Sequence, residues 1–280
     1  MLADKSLRDV LDAFASSEPT PGGGSAAAMI GALGASLLAM VAGLPKTKTG
    51  TDQARQALDS ARTLLLAYRD ELLALIDKDA AAYDLVVAAY KKPKGTDDEK
   101  AARSKAIQDA MRVAAETPVE TMRACAKVMD AATAVAEHGN PSAQSDIAVA
   151  AQSVGNAMQA ALFNVEINLG SIKDQTVVDK IVADAKQISG DASEAAGTIM
   201  QEANVVDLMR AVAKRVGMHH AAPPEPGTPE HTERFAAMAA ESLIRLGTDE
   251  ARHALDVLAK GRDAKIAARA QQVLDRPAEG

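Results

Sequence analysis

The chain has 280 residues with a net charge of −7, and 48% of them are hydrophobic but only 2% aromatic. Apolar bulk carried by Ala, Leu, Val, Ile and Met suits close-packed helices and argues against sheet-rich folds, which draw on aromatic and β-branched side chains. The acidic balance excludes a global basic field for nucleic acid or an anionic membrane, and three Phe with three Tyr are too few for a base-stacking surface.

Residues 5–15 read as a short amphipathic helix with Leu7, Val10, Leu11 and Phe14 on one side. It stops at Ser16-Ser17-Glu18-Pro19-Thr20-Pro21-Gly22-Gly23-Gly24, where proline and glycine forbid continuation, and Ser25 is placed to cap the next helix. Residues 26–44 carry no charge and reach membrane-spanning length. Small residues recur at Ala27, Gly31, Ala35, Ala39 and Gly43, with Ile30, Leu33, Leu37, Met40, Val41 and Leu44 on other faces. That stripe predicts close approach of a second helix, in an enclosed core or a dimer interface rather than in lipid.

A long helix is predicted from Thr51-Asp52 to Lys91, ended by Lys92-Pro93-Lys94-Gly95. Thr96-Asp97-Asp98-Glu99 is a capping box opening the next helix. Pro118 should kink or divide that helix, and Gly139-Asn140-Pro141 ends it. Further helical runs cover 143–169 and 174–216. Residues 218–230, rich in proline, read as a linker closing a first domain at 1–217. Residues 231–280 then read as a small HEAT-like helical extension, spaced by Leu243, Leu246, Leu255, Leu258 and Val273. Such a unit cannot bury its own face alone, so it is expected to pack on the first domain or on a protein partner.

The informative positions are polar residues on apolar faces. Asp79 falls at 3–4 spacing within the stripe Leu72, Ile76, Tyr83, Val86, Tyr90. A carboxylate facing the interior there would have a raised pKa, which suits proton transfer near neutral pH; equally, it would bond a neighbouring helix terminus or an Arg. Asp146, Ser153, Ala157, Ala160, Asn164 and Asn168 lie along one face of the fifth helix. Two adjacent amides in an apolar run imply a polar helix–helix network or a ligand, while Asp146 is equally readable as a cap. The Gly22-Gly23-Gly24 loop could present N–H groups to an anion, as many tight turns do. Lys46, Lys48, Lys91, Lys92 and Lys94 are loop lysines of the kind usually left in solvent.

Other chemistries find no support. The five histidines, His138, His219, His220, His231 and His253, form no zinc-ligand spacing, and no nucleotide-binding glycine motif is present. Cys125 sits among Met122, Val128 and Met129 and reads as an inert buried thiol; alone, it excludes an intrachain disulfide framework. Asp4, Asp9, Asp12 and Glu18 break any signal-peptide pattern, so a cytoplasmic protein is expected.

Pro19-Thr20-Pro21-Gly22-Gly23-Gly24-Ser25 before an uncharged Ala/Gly/Leu helix resembles the opening of the cyclodeaminase/cyclohydrolase family. The likeness continues through Asp79-x-x-Ala-Tyr83, Pro93-Lys94-x-Thr96-x-x-Glu99-Lys100, Gly139-Asn140 with Ser145-Asp146, and Asn164-Val165-x-Ile167-Asn168-Leu169 before Asp174. It says nothing of residues beyond about 217. The resemblance implies an all-α domain of long antiparallel helices, dimeric, binding reduced folate in a groove near the dimer interface and acting without metal or cofactor. The reaction would be ring closure of formiminotetrahydrofolate with ammonia release, or opening of methenyltetrahydrofolate with water. Asp79 becomes the first candidate for general acid or base, with Asp146 sharing that task or stabilising the cationic bridge. Asn164 and Asn168, with Asn140, would orient substrate, the Gly22–Ser25 loop would close over it, and Lys94 would contact glutamate carboxylates or help move protons. The rival reading is a non-catalytic helical module whose C-terminal helices recruit partners.

Overall fold

The structure is a computed structural model describing residues 2–202, all of which lie in one compact unit, Met1–Leu208. The expected linker, the HEAT-like extension and the end of the sixth run lie outside the described residues. Within them every regular element is a helix: α1 (Leu7–Phe14), α2 (Gly23–Ala42), α3 (Asp52–Tyr90), α4 (Asp97–His138), α5 (Gln144–Leu169) and α6 (Gln175–Glu202), with single 3-10 turns at Leu2–Asp4 and Pro141–Ala143.

The long helices are bounded by their own sequences. Thr51 caps α3 by accepting the Ala54 N–H at 3.2 Å. The α4 capping box is complete: Glu99 N–H donates to Thr96 Oγ1, and Thr96 N–H to Glu99 Oε2 at 3.0 Å. Arg55 of α3 donates to the Ala42 and Leu44 carbonyls, so a cation closes the C-terminal end of α2.

Helix α2 packs between α3 and α5 and also touches α4. Ala27, Gly31, Ala35 and Ala39 are buried, as the small-residue stripe predicts. A Cβ on Gly31 would stand 2.9 Å from Cys125 Sγ, and one on Gly34 2.6 Å from Val154 Cγ2, so both helix pairs depend on glycine there. Close approach lets aliphatic side chains such as Leu38, Leu58, Leu65, Leu72, Met122 and Met129 fill the core without rings. Each contributes ~1.5–3 kcal/mol by leaving water. Burial pushes the Cys125 thiol up to about 12, so it is inert as the sequence suggests.

Enclosure is one-sided. Leu33 is 65% exposed and Met40 44%, with Ile30 and Leu37 half-buried on the same stripe. α2 is long and apolar enough to cross a membrane by composition, yet most of it is buried in the bundle.

Pro118 does not divide α4, which runs through it as a 42-residue helix. Proline removes the N–H that would bond the Ala114 carbonyl one turn back. Asn168 of α5 supplies the missing donor, with Nδ2 at 2.8 Å from that carbonyl. The pair therefore fits as a matched set. Asn168→Ala is expected to cost about 1–3 kcal/mol in urea unfolding. In a Pro118→Ala background the restored N–H should remove most of that cost, and equal costs in both backgrounds would contradict the pairing.

Candidate active site

The site forms where the start of α2 meets α3 and α5. The sequence places Ser25 as a cap and the glycines in a loop; instead Gly22 is the N-cap and Gly23, Gly24 and Ser25 are the first three helical residues. Helix rather than loop means these residues do not form a flap over substrate. Gly22 has no side chain to cap the helix, and Asp79 reaches in from α3 to do so. Its carboxylate accepts hydrogen bonds from the backbone N–H and the hydroxyl of Ser25, the latter at 2.9 Å from Oδ2.

The fit requires glycine. A Cβ on Gly24 would lie 2.1 Å from Asp79 Oδ1, and one on Gly23 would lie 3.3 Å from Asn164 Nδ2. Asp79 and Asn164 thus flank consecutive residues of α2. Asn164 donates Nδ2 to the Ala160 carbonyl of its own helix at 2.8 Å, and its side-chain amide lies against Gly23.

Ser25 is fully buried and its Oγ lies 2.9 Å from both Asp79 Oδ2 and the Ile76 carbonyl. A hydroxyl has one proton and two acceptor lone pairs. With Asp79 ionised, Ser25 donates to the carboxylate. With Asp79 protonated, the acid donates to Oγ and Ser25 turns its proton to Ile76. Both protonation states are held in one geometry, which suits a group that must cycle between them.

Burial raises the Asp79 pKa above the ordinary 3.8, and the hydrogen bonds from Ser25 oppose but do not cancel that shift. The two sequence readings of Asp79, an interior carboxyl and a cap on a neighbouring helix, both hold. A folded pKa above the unfolded one stabilises the fold fully below the unfolded value, and the contribution is lost as pH rises through the folded value. Wild type should therefore lose stability relative to Asp79→Asn as pH rises from about 4, then run parallel to it once the pH is above the folded value. Thermal unfolding across that range checks this, and a wild-type advantage that grows with pH would contradict it.

The remaining sequence candidates divide by position. Asn168 bonds the Ala114 carbonyl of α4. Asp146, on the third residue of α5, is half-buried and is not its cap, which is Ala143. It precedes Asn164 by eighteen positions on one helix, ~27 Å of rise, so it does not meet Asp79 within one chain. Asn140 sits at that far end too, its Oδ1 accepting the Ser142 N–H at 2.9 Å. Lys94 is exposed in the turn after α3, whose last residue, Tyr90, lies ~16 Å beyond Asp79. Sequence reasoning did not separate these ends, because periodicity reports the face of a helix and not the neighbour along it.

A cavity of about 450 Å³ between α4 and α6 lies outside this site. Its charges neutralise each other, as in Arg123–Asp184 at 2.7 Å and Arg112–Glu116 at 2.8 Å.

An interior carboxyl that caps a glycine-opened helix beside an amide is the candidate site of this all-helical domain, and no group of three or more His, Cys, Asp or Glu that could hold a metal ion occurs among the described residues. Residues 6–187 match the family described as Formiminotransferase-cyclodeaminase, and the chain belongs to that family. It is 37% identical over 195 residues to a methenyltetrahydrofolate cyclohydrolase of Methylorubrum extorquens, covering 70% of this chain and 92% of that one. It is 32% identical over 179 residues to the formimidoyltransferase-cyclodeaminase of Rattus norvegicus, covering 64% of this chain but only 33% of that longer one. The solved structure of a formiminotetrahydrofolate cyclodeaminase from Thermotoga maritima superposes with a TM-score of 0.66 at 25% identity, covering 74% of this chain and 99% of that one. These matches bear out the all-α bundle and the family resemblance read from the sequence.

Proposed function

We propose that this protein is a cytoplasmic folate enzyme acting on the one-carbon bridge between N5 and N10 of tetrahydrofolate. The reaction is either opening of the methenyl ring to formyltetrahydrofolate or closure of formiminotetrahydrofolate with release of ammonia. Family membership and the named activities of its relatives support the reaction class, and the observation that carries the mechanism is the Asp79 carboxyl held at the start of α2.

The bridge carbon of the amidinium is already electrophilic, so proton transfer suffices and no cofactor is called for. In ring opening, water adds to that carbon and passes a proton to Asp79. Asp79 returns it to the nitrogen that departs from the tetrahedral adduct, and the adduct's hydroxyl gives its proton to solvent as the formyl carbonyl forms. In ring closure N10 attacks the formimino carbon, and the same carboxyl carries the N10 proton to the leaving ammonia. Asn164 orients the reacting amide through its side-chain amide, and the start of α2 at Gly22 and Gly23 lines the substrate, with buried Ser25 acting through Asp79. Ionised Asp79 offsets the unfavourable contact between a cationic bridge and the positive end of α2.

The reading includes a homodimer. α2 has no ionisable side chain from Gly23 to Ala42, and α5, which packs on it, also leaves Val149, Phe163 and Ile167 exposed, Ile167 at 75%. Two helices side by side, ~30 Å long and ~20 Å across, offer a face of the order of the ~800 Å² that a standard interface takes from each partner. Gly23 meets Asn164 while Gly34 meets Val154, so α2 and α5 run antiparallel. A two-fold axis near Leu33 would bring the Asp146 end of one copy to the Asp79 end of the other. The second carboxylate and Asn140 would then reach the site from the partner.

Ring opening is followed by decay of the near-UV methenyl band, and ring closure by its growth. Asp79→Asn is expected to lower turnover by at least about a hundredfold, with a folded circular-dichroism spectrum. If Asp146 works across the dimer, mixing unfolded Asp79→Asn and Asp146→Asn chains and refolding them together should recover about a quarter of wild-type activity, since half the dimers carry one intact site. Full activity of Asp79→Asn would remove it from the mechanism. No recovery on mixing would remove the shared site.

A further inference from the structure

Tyr83 is part of a sequence motif with Asp79, yet the proton transfers assigned to Asp79 do not use it. Its ring stands one turn beyond Asp79 on the same face of α3, since residues four apart on a helix are neighbours. α2 and α3 are antiparallel, and α2 begins beside Asp79, as the contact of Gly24 with its carboxylate shows. From there α3 runs eleven residues further, and α2 does not cover that stretch. The buried stripe of Leu72 and Ile76 therefore emerges into the open as Tyr83 and Tyr90, with Val86 half-buried between them. Tyr83 is 42% exposed.

The open stripe leads from the reacting carboxyl to a cationic end. Lys91, Lys92 and Lys94 are exposed in the turn that closes α3, ~18 Å from Asp79 along the helix. Arg103 stacks on Tyr90, with its guanidinium 5.5 Å from the ring centroid, and bonds the Tyr90 carbonyl, so that ring already has a partner. Tyr83 is left as the free aromatic face between an acid–base group and a set of lysines. Resting on the proposed folate reaction, we infer that Tyr83 is a substrate-binding residue that receives the aminobenzoyl ring. The one-carbon bridge then lies at Asp79 and the glutamate carboxylates lie toward Lys91–Lys94. The order along α3, proton-transfer group, ring surface, cations, matches the order of chemistry along the substrate: bridge, aryl ring, carboxylates. An exposed aromatic face offers a planar ring an offset-stacked or edge-to-face partner.

The test uses the full chain with Tyr83→Leu and Tyr83→Phe. Tyr83→Leu should raise KM about tenfold with kcat within about twofold of wild type, and Tyr83→Phe should behave as wild type. As separate probes, p-aminobenzoylglutamate should bind about tenfold more weakly to Tyr83→Leu, whereas a reduced pterin lacking the aryl group should bind both alike. Unchanged KM and unchanged fragment affinity would overturn the assignment. So would Tyr83→Phe behaving as Tyr83→Leu, which would make the hydroxyl the active group. A change in sedimentation with unaltered fragment affinity would make the face a protein contact and also overturn it. If wild type turned over no folate but bound p-aminobenzoylglutamate through Tyr83, the reaction would fall and the ring site would stand; if it bound no fragment, both would fall.

Discussion

Asp79 capping the start of α2 is the contact on which the rest depends. A carboxyl reaching across from one long helix to the first turn of another needs backbone without a Cβ at the point of contact, and Gly24 provides it. Once there, the carboxyl is withdrawn from water and its proton is held more tightly, while Ser25 gives it a partner in either protonation state. The same contact fixes where α2 begins. It thereby decides how much of α3 is left uncovered beyond Asp79 and where Asn164 of α5 falls.

Small residues do the complementary work. Gly31 and Gly34 bring α3, α4 and α5 close to α2, and a core of Leu, Val, Ile, Ala and Met closes without Trp and with few rings. Rings that do exist are then free to sit outside: Tyr83, Tyr90 and Phe163 are all substantially exposed. An uncharged α2 buried on one side and open on the other is poorly suited to water alone. The proposed dimer accounts for that open side and for the ~27 Å between Asp79 and Asp146 together, which one chain does not.

Much of the fold was legible in the sequence. Caps and breakers fixed α3 and α4 to within a residue or two, because Thr51, the Thr96–Glu99 box and the Pro-Gly turns act locally. Where the reading failed, the cause was tertiary. Three glycines look like a loop by propensity, yet Gly23 and Gly24 are helical because Asp79, fifty-odd residues away, caps them. Pro118 looks like a break, yet Asn168 from another helix satisfies the carbonyl that proline abandons. The interior position of Asp79 was legible because a charge in an apolar stripe is a local anomaly. The separation of Asp146 and Lys94 from it was not, since a face shared on one helix carries no information about which end meets the chemistry.

The central claim is that a buried carboxyl at Asp79, tuned by Ser25, moves the proton in the reaction. The direct measurement is the Asp79 carboxyl titration, read from carbon-13-labelled aspartate as wild type minus Asp79→Asn, compared with the pH dependence of kcat/KM. Titration above 3.8, an inflection in kcat/KM at the same pH, and upward movement of both in Ser25→Ala are expected. An Asp79 that titrates at or below 3.8, or an inflection that survives in Asp79→Asn, would contradict the account.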